Sequence, residues 1–258
     1  MVAKGCLSDI ARAPDYARVV IGGAMGSTRS SSTFADAENI MTFEVAEILS
    51  RLAKKRPIFH SEADFQHALA WEVHGMHADA DIRLEVPVAL EGRRVYVDMI
   101  VTQRGKKIFF ELKYKTSAAR LVHSNELFDL KQQGAADQGL YDCVKDFSRL
   151  ERFVDAVPGS EGYAVLLTND RRYWSQGIKE NTLDRAFKLT QGRFLSGTLA
   201  WADHAGAGSI KGRELAIQLR GEYGIAWRPY SQPGDSSALP FRVMMLRMLA
   251  HVGPASAL

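Results

Sequence analysis

The chain has 258 residues, 46% of them hydrophobic and 24% charged, which is typical of a globular protein with one sizeable core and additions. No apolar run is as long as a membrane span, and Cys6 and Cys143 are too far apart in sequence to form a metal-binding pair, so we expect a reduced, cytoplasmic protein with no membrane partner. The net charge of +3 is compatible with a nucleic-acid partner but too small to indicate one.

The first part of the chain offers little that a core would bury. Small and polar residues fill the stretch from Ile21 to Thr33. We therefore expect a flexible N-terminal segment over residues 1–40, with Met41 as an alternative start.

Two helices are predicted next. Apolar residues recur at helical spacing from Phe43 to Leu52, and a cationic run before Pro57 indicates the end of this helix. Ser61 is a suitable N-cap for a second helix running to about His74, with Asp64 in the position of a capping box.

Three strands are predicted after these helices. Ile82–Leu90 is the first, and its proline near one end favours an edge position or a bulge. Val95–Val101 and Ile108–Tyr114 are rich in β-branched and aromatic residues, and the polar, glycine-containing segment between them predicts an antiparallel hairpin.

The hairpin carries the residues that point to chemistry. Alternation places Glu111 and Lys113 on one face of the second strand, with Phe110, Leu112 and Tyr114 on the other. Asp98 stands alone in the apolar first strand, where an unpaired buried carboxylate would cost several kcal/mol. Two carboxylates beside a lysine can hold a divalent cation next to a water molecule, although a structural ion pair on a sheet face is the alternative.

A further helix and a buried strand follow the hairpin. The apolar stripe from Leu140 to Val154 predicts a helix over about residues 133–154, and the continuous apolar run at 162–168 predicts a buried strand. Farther on, the patterns predict a helix over 182–189 and strands around 215–219 and 223–230, and they leave 241–249 ambiguous.

This order of elements and residues resembles the PD-(D/E)XK nuclease superfamily, which includes restriction endonucleases. The similarity rests on Asp98 and then Glu-x-Lys on the hairpin strands, between flanking helices, over roughly residues 58–170. It implies an α/β fold with a restriction-endonuclease-like core, in which a central mixed β-sheet is flanked by helices in the order α-β-β-β-α-β. We expect this core over residues 41–170 and an α+β extension packed on it over residues 171–258.

The resemblance also implies a site and an activity. Asp98, Glu111 and Lys113 match the catalytic set, and Glu62 matches a helix-borne acid of many members, with Glu72 as a competitor on the same helix. Asp98, Glu111 and the backbone carbonyl of Leu112 would bind Mg²⁺, or Mn²⁺ in its place. The implied function is that of a metal-dependent endonuclease, a phosphodiesterase that hydrolyses DNA.

Several residues are predicted to contact the nucleic-acid backbone. On the helix over 133–154, one stripe opposite the apolar face carries an amide, a phenol and cations, which suit phosphate contact but equally suit a plain solvated face. Lys115 would share the face of Lys113. The predicted contacts are Gln138, Tyr141, Lys145, Arg149 and Lys115, with Arg152 on the same stripe.

Other functions remain open at the level of sequence. The chain could keep the nuclease fold and bind nucleic acid without cutting it, or cut only as a subunit of a larger assembly. RNA in place of DNA and a homodimer are further alternatives.

Overall fold

In the computed structural model, helices cover both faces of a central mixed β-sheet, as predicted. The structure describes residues 43–177, 179, 181–234 and 240–250. The predicted flexible segment 1–40 and the alternative start at Met41 lie outside the described residues. The helices are α1 (Val45–Lys55), α2 (Glu62–Met76), α3 (Ala136–Ala156) and the single turn α4 (Ala207–Ile210). The strands are β1 (Asp81–Leu90), β2 (Arg93–Gln103), β3 (Lys106–Lys115), β4 (Ala119–His123), β5 (Glu126–Leu130), β6 (Glu161–Thr168), β7 (Phe194–Leu199), β8 (Ile217–Gly224), β9 (Trp227–Ser231) and β10 (Phe241–Leu249).

The central sheet has six strands in the order β1-β2-β3-β6-β10-β9. Strands β3 and β6 are parallel and the other neighbours are antiparallel. Helix α3 lies in the connection between β3 and β6, as a parallel pair requires. Strand β1 is at one edge, which confirms the position expected from its proline.

Local sequence explains the start of α2 and the buried face of α1. The Ser61 side chain accepts a hydrogen bond from the Asp64 backbone N–H at 3.1 Å, which confirms it as the N-cap of α2. In α1, the residues at helical spacing face inward, and Val45, Ile48, Leu49 and Leu52 are buried.

Two-residue turns close three hairpins. Both turn residues have positive φ in Glu91–Gly92, in Arg104–Gly105 and in Ser124–Asn125. This is the turn geometry whose twist matches that of the flanking strands. The Arg104–Gly105 turn confirms the predicted hairpin connection of β2 and β3, whereas the β4–β5 hairpin was not predicted.

The sheet separates two apolar cores. One core contains α1, α2 and the inward side chains of Phe110, Leu112 and Tyr114, and the other contains α3. All eight residues of β6 are buried, as its continuous apolar run predicted. Glu111 and Lys113, which belong to the candidate site described below, lie on the α3 face of the sheet.

The hairpin of β1 and β2 crosses from one core to the other midway. Leu84 packs on the α1–α2 side, whereas Val88, four residues later, packs on the α3 side. Between them Glu85 has a φ of 51°, which is rare for a residue other than glycine, and it interrupts the pairing directly opposite Asp98. The crossover therefore coincides with the position of Asp98.

The C-terminal part departs from prediction in several places. The predicted helix over 182–189 is wrong, because only a 3₁₀ turn forms at Arg185–Phe187. Phe187 and Leu189 are both buried although they are only two residues apart, which an α-helix does not favour. Strand β7 was not predicted. The ambiguous segment 241–249 is β10, which pairs with β6 in the central sheet.

Candidate active site

Asp98 lies where two strands of the central sheet separate. Strand β2 pairs with β3 only from Met99 onward, so the backbone groups of β3 that face β2 beyond Phe110 are left to bond elsewhere, while β3 stays paired with β6. The Leu112 N–H donates a hydrogen bond to Asp98 Oδ2 at 2.6 Å. This bond fixes the Asp98 carboxylate between the strands.

Glu111 and Lys113 share the α3 face of β3, as alternation predicted. The Glu111 side chain is 1% exposed and receives two hydrogen bonds from the Arg149 guanidinium, one of them from Nε to Oε1 at 3.1 Å. Lys113 Nζ lies 2.8 Å from Asp146 Oδ2 and 3.9 Å from Glu62 Oε1. The amine is thus placed between two carboxylates from different helices.

The structure places Glu62, and not Glu72, beside this group. Glu62 is the first residue of α2, and its Oε2 accepts a hydrogen bond from the Tyr114 N–H at 2.9 Å. Glu72 instead forms ion pairs with Arg51 at 3.0 Å and Lys55 at 2.5 Å, both on α1. The competing acid is therefore occupied in joining the two helices.

Sequence reasoning missed the contribution of Asp146 to the site. Asp146 and Arg149 lie one turn apart on α3, and their side chains are 3.1 Å apart at the closest charged atoms. A signal was present: Asp146 is three residues after Cys143 and four before Leu150, both buried, so it lies on the inward face of the helix. A carboxylate at such a position needs partners inside the fold.

The cluster holds more negative than positive charge. When all groups are ionised, four carboxylates face two cations. The carboxylates are those of Glu62, Asp98, Glu111 and Asp146, and the cations are Lys113 and Arg149. Burial raises the pKa of Asp98 to about 6, although the Lys113 amine and the Leu112 N–H oppose the shift. Burial, then repulsion from Asp146 and Asp98, raises the pKa of Glu111 well above its usual range in spite of Arg149. Both shifts arise first from burial, and repulsion among the neighbouring carboxylates adds to it.

Lys113 remains a cation in this setting. Burial disfavours the charged amine, but the carboxylates of Asp146, Glu62 and Asp98 outweigh that effect and raise the pKa of Lys113 above its ordinary value. The amine is therefore suited to stabilise negative charge and unsuited to accept a proton at neutral pH.

A buried amide supports Asp98 from the other face of the sheet. Gln66 Nε2 lies 2.6 Å from the Asp98 backbone carbonyl oxygen and 2.9 Å from Glu85 Oε1, and it donates to both. Glu85 is the residue with the strained backbone opposite Asp98. Strain of this kind costs on the order of 1–3 kcal/mol and persists only where surrounding contacts hold it. Gln66 supplies such a contact, and neither residue was predicted.

The donor atoms suit a hard divalent cation. Asp98 and Glu111 provide carboxylate oxygens and Leu112 a backbone carbonyl, which accepts a bond from Lys113 Nζ at 3.3 Å. Magnesium usually takes one or two protein carboxylates and fills its other positions with water and substrate oxygens. Within the described residues, no three or more His, Cys, Asp or Glu side chains are grouped so as to hold a metal ion, and the predicted donor set contains only two.

The residues predicted to contact nucleic acid do not form one exposed stripe. Gln138 Nε2 donates to the Ser209 carbonyl at 3.0 Å, and the buried Tyr141 donates its hydroxyl proton to the Leu215 carbonyl at 2.8 Å. The prediction of one exposed polar stripe on α3 is therefore wrong, because the segment after β6 covers part of this helix.

The remaining predicted contacts differ in their surroundings. Arg149 is bound to Glu111, Lys145 lines a cleft between α3 and β8, and Lys115 extends the face of Lys113 in a half-buried position. Lys115 forms no ion pair with any residue that the structure describes.

Comparison with protein-family models, curated proteins and solved structures yields no match to this chain. None of the described helices has the length and apolar character needed to cross a membrane.

Proposed function

We propose that the chain is a magnesium-dependent phosphodiesterase that hydrolyses DNA on a restriction-endonuclease-like core of the PD-(D/E)XK type. The observation that carries the proposal is the convergence of Asp98, Glu111 and Lys113 on one face of the sheet, in a cluster that holds more negative than positive charge. The order α2-β1-β2-β3-α3-β6 supports it, with the β4–β5 hairpin inserted before α3.

Each side chain has a role that its surroundings favour. Asp98, Glu111 and the Leu112 carbonyl would hold Mg²⁺, which when bound lowers the pKa of water and neutralises charge on a phosphate. The Arg149 fork fixes the plane of the Glu111 carboxylate.

Lys113 and Glu62 complete the site. Lys113, held cationic by Asp146 at 2.8 Å, would donate hydrogen bonds to a non-bridging phosphate oxygen as charge develops there. The Glu62 side chain is more exposed than those of Asp146 and Glu111, and it would accept a hydrogen bond from water at the mouth of the site.

The test is cleavage of supercoiled and linear DNA by the purified chain, with Mg²⁺ and with EDTA. We expect cutting only with Mg²⁺. Asp98→Asn and Glu111→Gln should reduce the rate by about 100-fold or more, because each removes a charge that acts on the reacting group. Lys113→Met should reduce cleavage similarly and leave DNA binding in EDTA nearly intact.

A matched control is Asp129→Asn, which neutralises an exposed acid on β5 and should leave the rate unchanged. Cutting by Asp98→Asn at the wild-type rate would overturn the proposal. DNA binding without any cleavage would instead favour a binding protein that keeps the nuclease-like fold.

A further inference from the structure

A second cleft lies in the segment after β6, beside the 3₁₀ turn Arg185–Phe187. Its volume is about 400 Å³, within the range of pockets that take small ligands. No carboxylate is among its described lining residues. The cations that line it are Lys179, Arg185, Lys188 and Arg193.

Two of these cations are held in place by the fold. The Arg193 guanidinium donates hydrogen bonds to the backbone carbonyls of Arg185 and Ala186, the second at 3.2 Å. Lys188 Nζ lies 2.8 Å from Oδ2 of Asp184, a buried carboxylate just outside the cleft lining. The carbonyl contacts keep Arg193 in position before any ligand arrives, whereas Asp184 offsets the charge of Lys188.

The other charges of the cleft are not compensated within the described residues. Arg185 is exposed and forms no ion pair with a described carboxylate, and the same holds for Lys179. Burial, and then repulsion from the nearby Arg185 guanidinium, lower the pKa of Arg193, whereas Asp184 opposes the shift. An anion bound between them would relieve this repulsion.

The cleft also contains a hydroxyl for which the described residues provide no hydrogen-bond partner. Thr182 Oγ1 is buried and makes no hydrogen bond to any residue that the structure describes. A hydroxyl is a good donor to a phosphate oxygen, and threonine often supplies it at nucleic-acid interfaces. The donors of the cleft thus match a phosphate group in charge and in hydrogen bonding.

The wall of the cleft is anchored to the core beside α3. Phe187 packs edge-on against Tyr141, with ring centroids 5.0 Å apart, and the Trp227 indole N–H donates to the Leu189 carbonyl at 2.6 Å. The cleft is therefore built on packed residues.

The neighbouring cleft between α3 and β8 is a weaker candidate. It is also lined by cations, but Arg152 is paired with Glu91 at 3.1 Å and Arg220 with Asp155. Paired cations release little free energy on meeting a polyanion, since they first lose their partners. Among the described cations of the two clefts, Arg185 and Lys179 in the first and Lys145 in the second form no ion pair with a described carboxylate.

We propose that the cleft at Arg185 and Arg193 binds backbone phosphates of nucleic acid and anchors the strand away from the acidic cluster. The choice of nucleic acid as the source of the phosphate rests on the proposed function. The anchor would replace the contacts that Tyr141 and Arg149 are unable to make, because both are engaged inside the fold.

The experiment measures binding of labelled duplex DNA in EDTA, where no cleavage occurs, at several salt concentrations. Arg185→Glu is compared with Lys107→Glu, an equal charge reversal at an exposed residue at the start of β3. We expect Arg185→Glu to weaken binding about three- to tenfold and to lower the salt slope by about one phosphate contact or more. Lys107→Glu should have a much smaller effect. Arg185→Gln, which keeps a polar side chain, should show an intermediate loss.

The remaining outcomes separate this inference from the proposed function. Equal weakening by the two reversals would show an effect of net charge alone and would overturn the anchor, as would absence of DNA binding by the wild type. If tripolyphosphate binds the wild type but not Arg185→Glu, and DNA binding is unchanged by the substitution, the cleft binds a soluble phosphate compound. This result would also overturn the anchor. Binding that depends on Arg185, in a chain that never cuts DNA, would support the anchor and reject the nuclease.

Discussion

At the scale of single residues, Asp98 shows how the fold accepts an unfavourable charge. The carboxylate is half-buried and shares its surroundings with three other acids, whereas the Leu112 N–H and Lys113 favour its charge. A purely structural role would not require such a group, because an uncharged side chain could accept the same hydrogen bond. Its retention is understandable if a cation joins the cluster during function.

A first prediction follows for the stability of the protein without metal. In EDTA at neutral pH, Asp98→Asn should raise the free energy of unfolding by about 1–2 kcal/mol, because it removes a buried like charge while the amide oxygen can still accept from Leu112. Chemical denaturation gives the measurement, and Asp129→Asn is the exposed control. Added Mg²⁺ should stabilise the wild type more than Asp98→Asn. A lower stability of Asp98→Asn in EDTA would contradict this account.

At the scale of elements, the β3–β6–β10 unit is joined by a single buried carboxylate. Glu161, at the start of β6, accepts hydrogen bonds from Lys106 on β3, from Arg247 on β10 at 2.8 and 3.0 Å, and from the Tyr163 hydroxyl at 2.8 Å. Burial raises the pKa of Glu161, but these donors outweigh burial and lower it to about 2. The carboxylate thus links three adjacent strands.

The second prediction concerns pH. The pKa of Glu161 is lowered in the folded state, so its stabilising contribution is complete above the ordinary value of 4.5 and is lost as the pH falls towards 2. Glu161→Gln should lower the free energy of unfolding by about 2 kcal/mol at pH 7, because it replaces charged hydrogen bonds. Urea denaturation should show this difference shrinking between pH 4.5 and pH 2. Glu222→Gln, an exposed change on β8, is the control, and a difference that does not vary with pH would contradict the assignment.

Local periodicity was sufficient for the elements that build the core, and insufficient elsewhere. Alternation in β2 and β3 correctly placed Glu111 and Lys113 on one face, since each strand is half of a regular hairpin. The helix predicted over 182–189 was wrong because Phe187 is buried by a tertiary contact with Tyr141 and not by helical packing. The β4–β5 hairpin was missed although its strands alternate around a two-residue turn.

The candidate site was predictable only in part, because local sequence patterns do not show which distant elements pack together. Asp98, Glu111, Lys113 and Glu62 were identified, and the structure brings them together. Asp146 comes from a helix more than thirty residues farther along the chain, and nothing in its local sequence indicates which strand it will face. Long-range packing, and not local pattern, supplies that part of the site.

At the scale of the whole molecule, the C-terminal segment completes the sheet. Strand β10 pairs with β6 over eight residues and is followed at the edge by β9. Phe241 belongs to the core of α1 and α2, whereas Met244 and Leu246 belong to the core of α3. Both faces of the sheet therefore depend on residues that follow the candidate site in sequence.

The last prediction tests this dependence by truncation. A chain of residues 41–168 should fail to fold, because β6, buried along its whole length, would become an edge strand with hydrogen-bonding groups open to water, and both cores would lose the residues that β10 supplies. A chain of residues 41–258 should melt like the full chain, since every described core residue lies at or after Val45. Thermal unfolding followed by near-ultraviolet circular dichroism distinguishes the two. A cooperative transition in 41–168 would show that the sheet is stable without β9 and β10, and a markedly lower melting temperature of 41–258 would show that residues 1–40 contribute to the fold.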